Sequence, residues 1–155
     1  MKPEILYLSD NLIHAETVAQ WIYREFFIGI REGVPYERIL ESARDCHSSR
    51  LPVRLIAMTD GKCAGTAALV ENDFEGKEYT PWLAALYVDK PYRNKKIGMQ
   101  LVERIKEIAK NLNYRELFLR TEFAGNYYRK LGWQFIESSS KDNFGLMPDI
   151  FKISL

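Results

Sequence analysis

The sequence holds only two cysteines, Cys46 and Cys63, and only two histidines. Their number and spacing suit neither a disulfide framework nor a zinc site, so no metal is expected and a reducing compartment is favoured. Long apolar runs are also missing. The longest is WLAALYV, far short of the roughly 20 residues that cross a bilayer, and Asp10 and Glu16 fall where a signal peptide would need its apolar core. A cytoplasmic protein without a membrane partner is the expectation. Charge of one sign is not in excess: 22 Lys and Arg against 21 Asp and Glu leave a net charge of +1, so no global field recommends nucleic acid. Neither GxxxxGK[ST] nor GxGxxG occurs, which removes the nucleoside-triphosphate loop and the dinucleotide fingerprint. There is no internal repeat and no linker-like stretch, so residues 1–155 read as one domain.

What is present is a set of short periodic segments. Glu4 to Leu8 is a strand candidate, and Val18, Trp21, Ile22 and Phe26 recur at helical spacing from His14 to Phe27, before Gly29 and Gly33. PYERILESARDC forms a second helix with Pro35 near its first turn. Val53 to Met58 and Cys63 to Val70 flank the Asp60-Gly61 turn of a hairpin. A further turn is expected near Gly76, and Leu83 to Val88, apolar on both faces, reads as a central strand. From Ile97 the period changes: Ile97, Leu101, Ile105, Ile108 and Leu112 share one helical face, opposite Glu103, Lys106, Glu107 and Lys110. A strand from Glu116 to Thr121, a short helix over Ala124 to Leu131 and a final strand pair, Trp133 to Glu137 with Ile150 to Leu155, complete the chain. The crossover from Leu83 to Thr121 implies one parallel pair among antiparallel hairpins.

Between the central strand and the amphipathic helix lies PYRNKKIG, whose Arg93, Lys95 and Lys96, with Lys90 just before it, bring four cations within seven residues. A helix N-terminus leaves about four amides without intrahelical partners, and an anion satisfies them. Hydrogen bonds to a charged group are worth about 1.5 to 3 kcal/mol each, against about 0.2 to 1 kcal/mol for an exposed charge pair. Backbone amides would therefore outweigh the side-chain cations. The segment LYVDKPYRNKKIGMQLVERI resembles the acetyl-coenzyme A signature [QR]xxGx[GA] of the GCN5-related N-acetyltransferases (GNAT), and Asn126 to Trp133 is similar to that family's FYxxxGF element. The departure is Lys96, which stands where the signature has its first glycine.

The resemblance implies an α/β fold of the α+β type. Its sheet would be mixed, mostly antiparallel and twisted, with a central parallel pair and about four flanking helices. It also implies acetyl-CoA as co-substrate, bound by the main chain of Tyr87 and Val88 along the pantetheine arm. Arg93, Asn94, Lys95, Lys96, Ile97, Gly98 and Met99 would wrap the pyrophosphate, with Asn126 near the pantetheine and Tyr128 near the thioester sulfur. The activity implied is transfer of an acetyl group to a primary amine of a small molecule or protein, by direct attack through a tetrahedral intermediate.

Such a reaction needs a proton acceptor, an oxyanion donor and a proton for the leaving thiolate. Tyr128, with a reference pKa about 10 against about 8.5 for a thiol, suits the last role, and the Val88 amide the second. The central strand carries no carboxylate, so the base is sought in Glu71, Asp73, Glu122 or a water relay. Cys46-His47, adjacent on a helix, would not face each other and is set aside as a catalytic pair. Trp21, Tyr23, Phe26, Phe27 and Tyr36, with Trp82 and the loop Lys141 to Asp149, are candidates for the acceptor side. The alternatives are a non-catalytic acyl-CoA sensor on the same fold and a nucleic-acid module using the PYRNKK cations.

Overall fold

The computed structural model describes residues 2–155. In chain order the elements are β1 (Glu4–Tyr7), α1 (Ala15–Ile22), α2 (Tyr36–Arg44), β2 (Val53–Thr59), β3 (Lys62–Val70), β4 (Trp82–Val88), α3 (Ile97–Asn111), β5 (Glu116–Thr121), α4 (Gly125–Lys130), β6 (Gln134–Ser138) and β7 (Asp149–Ser154). The strands form one seven-stranded sheet in the order β1-β2-β3-β4-β5-β7-β6. All neighbours are antiparallel except β4 and β5, which are parallel as the helical crossover requires. The expected α+β architecture is therefore present, with one detail that the sequence pattern does not show: β7 inserts between β5 and β6.

Two layers of helices sandwich the sheet. On one face α3 lays down Ile97, Leu101, Ile105 and Ile108, all buried, against Leu55, Ala67, Leu69 and Leu83. On the other face α1 and α2 bury Val18, Ala19, Ile22, Ile39 and Ala43 against Leu8 and Ile56. The helix expected to run to Phe27 does so, but its last turn, Tyr23–Phe27, widens to a π-turn closed by the Ile28 amide on the Tyr23 carbonyl at 2.9 Å. Gly29, at φ 73°, then turns the chain away in the left-handed region that glycine enters without cost.

The central strand carries the feature that positions everything else. Ala68 pairs with Ala84 but Thr66 pairs with Tyr87, so β4 holds one residue more than β3 across this interval, and Ala85 takes φ 51°. A bulge of this kind reverses which side chains face which layer. Before it, Leu83 packs toward α3; after it, Leu86 and Val88 do, while Ala85 turns to the α1/α2 side. The unbroken apolar run of WLAALYV lets both halves of the strand be buried whichever way they face.

Two expectations are corrected here, one on the acceptor side and one on the placement of Cys46 and His47. Trp82 does not border an open site: it is fully buried, donates its indole N–H to the Tyr79 carbonyl at 2.6 Å, and packs with Phe74, Phe118 and Ile150. Cys46 and His47 are not on a helix, because α2 ends at Arg44; His47 bridges in parallel to Val53 and lies 3.6 Å from Asp45. Burial pushes the Cys46 thiol pKa up, away from the thiolate a nucleophile needs.

Candidate active site

The parallel strands β4 and β5 touch at a single register pair, Trp82 with Phe118, and diverge beyond it. The second half of β4 therefore has β3 on one side and a gap on the other. Main-chain groups alternate sides along a strand. The Asp89 amide donates to the Ala64 carbonyl of β3 at 2.9 Å, so the main chain of Val88 faces the gap. Its carbonyl accepts from Arg93 Nε at 2.8 Å, and its N–H lies on the same open side.

Where β4 ends, a short 3-10 turn (Lys90–Tyr92) leads to the loop before α3. Asn94 and Lys96 both adopt the left-handed conformation, at φ 64° and 63°. Lys96, the residue in place of the signature glycine, thus takes up the backbone that glycine favours, and its exposed side chain points into no packed neighbour. A left-handed L-residue costs about 1 to 2 kcal/mol, so the loop retains this path at some expense. The amides of Asn94, Lys95 and Lys96 donate to no group among the described residues. With the first-turn amides of Ile97, Gly98 and Met99 they form a row of free donors at the N-terminus of a 15-residue helix. Ile97 offers only its amide, because its side chain is core. A Cβ at Gly98 would meet Val88 Cγ2 at 3.5 Å, ordinary contact that leaves room for alanine. Gly65 is the constrained glycine: a Cβ there would lie 2.9 Å from the Tyr87 carbonyl and 3.3 Å from Leu101 Cδ1, so α3 and the bulged strand approach through it.

Arg93 departs from its expected place around a pyrophosphate. Its guanidinium folds back over the Tyr87 ring, 5.5 Å from the centroid, while Nε holds the Val88 carbonyl. The side chain latches the loop to the strand and leaves the backbone amides as the free donors of the loop.

On the opposite side of the gap lies a cleft of about 630 Å³, within the size range of small-molecule sites. Tyr128 of α4 borders it, with its ring edge-on to Trp133 at 5.9 Å, and burial pushes its pKa up to about 12. Asp73, in the loop after β3, also borders it. Burial raises its pKa to about 6, a shift that nearby Arg120 and Arg31 reduce. Glu122 lines the cleft but is held by Arg120 at 3.1 Å and Arg31 at 3.9 Å. Glu71 is exposed, is not among the residues that line the cleft, and its carbonyl accepts from the Thr80 hydroxyl. Asn126, on the exposed first turn of α4, is also off the cleft. Of the five aromatics expected near an acceptor only Phe26 and Phe27 reach it; Trp21 is buried against Tyr87, and Tyr23 packs edge-on with Tyr36.

Three arginines that sequence reasoning passed over shape this cleft. Arg120 of β5 forms a 2.8 Å ion pair with Asp142, both side chains under 10% exposed, and donates to the Asp73 carbonyl. Asp142 in turn accepts the amides of Phe144 and Leu146. Burial pushes the Asp142 pKa up, but the bond from Arg120 and those two amides outweigh it, and the net direction is down. The loop 139–148 is thereby tied over the cleft. Arg31 lies between the rings of Phe27 and Phe144, 5.5 and 6.0 Å from their centroids. Arg54, the second residue of β2, is buried with Ser42 Oγ as its side-chain partner at 3.2 Å. The signal was present in the sequence: VRLIAMT and ELFLRT each place one arginine inside an otherwise apolar strand.

A family profile described as the acetyltransferase (GNAT) family matches residues 15–133. The chain belongs to the GNAT family. Solved structures agree on the fold. An aminoglycoside 6'-N-acetyltransferase complexed with coenzyme A superposes with a TM-score of 0.75 at 13% identity, covering 97% of this chain and 96% of its own. A GNAT acetyltransferase from Staphylococcus aureus gives 0.69 at 19% identity, covering 98% and 99%. YncA of Salmonella typhimurium, a putative acetyltransferase with its cofactor acetyl-CoA, gives 0.68 at 17% identity, covering 100% and 94%. A comparison with curated protein sequences finds no match. The GNAT match ends at Trp133, so the tied loop and the last two strands lie beyond it. Among the described residues no helix is long and apolar enough to cross a membrane.

Proposed function

We propose that this GNAT protein is an N-acetyltransferase that moves the acetyl group of acetyl-CoA to a primary amine of a small molecule or protein. The observation that carries this reading is the gap between β4 and β5, which has a row of free amides at one mouth and the cleft of Asp73 and Tyr128 at the other. Several relatives by fold were solved with coenzyme A or acetyl-CoA, which supports the same co-substrate here. The amides of Asn94 to Met99 would hold the pyrophosphate, and the Val88 main chain would line the path of the pantetheine arm.

Acetyl-CoA supplies an activated thioester carbonyl. The amine nitrogen attacks that carbon, a C–N bond forms, and the oxygen takes the electron pair, with the free Val88 N–H as its donor. The proton lost by the amine goes to Asp73, which is ionised above its pKa of about 6, directly or through water. The C–S bond then breaks and the thiolate takes a proton from Tyr128, whose pKa of about 12 keeps it protonated until then. The products are the acetamide and free coenzyme A; Asp73 releases its proton to solvent and Tyr128 recovers one, so the cycle closes without net proton uptake. Acetyl-CoA at 100 times its dissociation constant would stabilise the fold by about 2.7 kcal/mol, a readily measured melting shift. An amine-dependent release of thiol in the same preparation tests the transfer, and a shift without release from any amine would favour the acyl-CoA sensor.

A further inference from the structure

The row of residues across the floor of the cleft says something about what the acceptor carries besides its amine. Arg54 on β2, Ala68 on β3 and Ala84 on β4 are directly paired, so their side chains stand in line on the α1/α2 face of the sheet. Two alanines leave that floor open over two strand spacings, roughly 10 Å, from β2 to the edge of the β4–β5 gap. At the gap end the cleft has the carboxylates of Asp73 and Glu122. At the far end it has Arg54, which is 9% exposed, with Nε and Nη1 both buried and without a hydrogen-bond partner among the described residues. Arg54 forms no ion pair among the described residues, its side-chain partner being the neutral Ser42 hydroxyl, whereas Arg31 and Arg120 are both matched by carboxylates. Asp73 and Asp45 act on this guanidinium only at longer range; a buried guanidinium with no carboxylate in contact is costly, and a planar two-oxygen anion fits its fork.

Resting on the N-acetyltransferase reading, we propose that the acceptor is an amine that also bears a carboxylate, and that Arg54 binds this carboxylate at the β2 end of the cleft. The two ends then match a zwitterion: ammonium toward Asp73, carboxylate toward Arg54. A phosphate dianion is disfavoured by the carboxylates that share the cleft.

The test uses the full chain with acetyl-CoA and a series of α- and ω-amino acids, each compared with its own primary amide and with a phosphonate analogue of equal length, read as kcat/KM for thiol release. In the wild type at least one amino acid is expected to exceed its amide roughly 10- to 150-fold, the worth of hydrogen bonds to a charged group. Arg54→Met is expected to collapse that ratio toward one, and Arg54→Lys to keep part of it. Equal rates for every acid and amide in the wild type overturn the inference without any variant having to fold. Preference for the phosphonates overturns the choice of carboxylate. A protein that binds acetyl-CoA and acetylates only uncharged amines sinks the Arg54 proposal and leaves the N-acetyltransferase reading standing. No melting shift with acetyl-CoA removes both.

Discussion

In the proposed mechanism Tyr128 and Asp73 divide the proton work because the same physical cause acts on groups of different reference pKa. Burial raises both, the phenol to about 12 and the carboxyl to about 6, which leaves one protonated and the other ionised at neutral pH. Tyr128→Phe is expected to keep the acetyl-CoA melting shift and lower kcat by roughly 100-fold or more, the usual worth of a positioned general acid. For Asp73, kcat/KM should fall as pH drops through about 6, and Asp73→Asn should remove that limb of the profile. Stability moves the other way. The folded carboxyl binds its proton at higher pH than the unfolded one, about 6 against 3.8, so the penalty for ionising it in the fold is complete above pH 6 and vanishes below about 4. Asp73→Asn should therefore gain most stability over wild type near pH 7 and little at pH 4, as measured by urea unfolding across pH. Among the base candidates, sequence position alone did not separate Glu71 from Asp73, since both follow β3; the turn through Asn72 and Phe74 buries one and exposes the other.

At the scale of elements, the loop before α3 and the loop before β7 are both held by main-chain geometry and by one charged latch each. For the first, exposed cations contribute little and the left-handed turn is the glycine-like part. Lys96→Gly is expected to change the acetyl-CoA dissociation constant by less than about fivefold, the limit set by one exposed charge of about 1 kcal/mol. A loss of a hundredfold in a titration would mean that the lysine side chain itself holds the phosphate. For the second loop, Asp142→Ala leaves Arg120 without its closest partner and the amides of Phe144 and Leu146 without theirs. Arg120 keeps Glu122 at 3.1 Å, so the loss is that of hydrogen bonds to a charged group, about 1.5 to 3 kcal/mol, to be read by urea unfolding, and proteolysis should then begin within residues 139–148. The helices were legible from period alone: all four apolar positions from Ile97 to Ile108 that define the face of α3 are buried. The bulge at Ala85 was not, because LAALYV is apolar at every position and so carries no alternation for a bulge to interrupt. Trp82 was misjudged because the strand begins at Trp82, one residue before the expected start at Leu83, and encloses it.

For the whole molecule, the decisive feature is a sheet that is continuous everywhere but split between its two parallel strands. The crossover through α3 could be read from the order of elements, which is why the parallel pair was expected. How far the pair stays joined could not, because that depends on the bulge and on Gly65 letting α3 sit close to the strand. With the helix amides on one side of the split and the cleft on the other, the proposed reaction would bring a long thioester from one face and an amine from the opposite one. The measurement that bears most directly on this is a paired assay with purified protein, acetyl-CoA and a panel of primary amines, following free thiol and the acetylated amine by mass in the same reactions. Thiol and acetamide appearing in equal amounts, only when amine is present, is the result predicted. Acetyl-CoA left intact with every amine, or thiol released without any acetylated product, would contradict it.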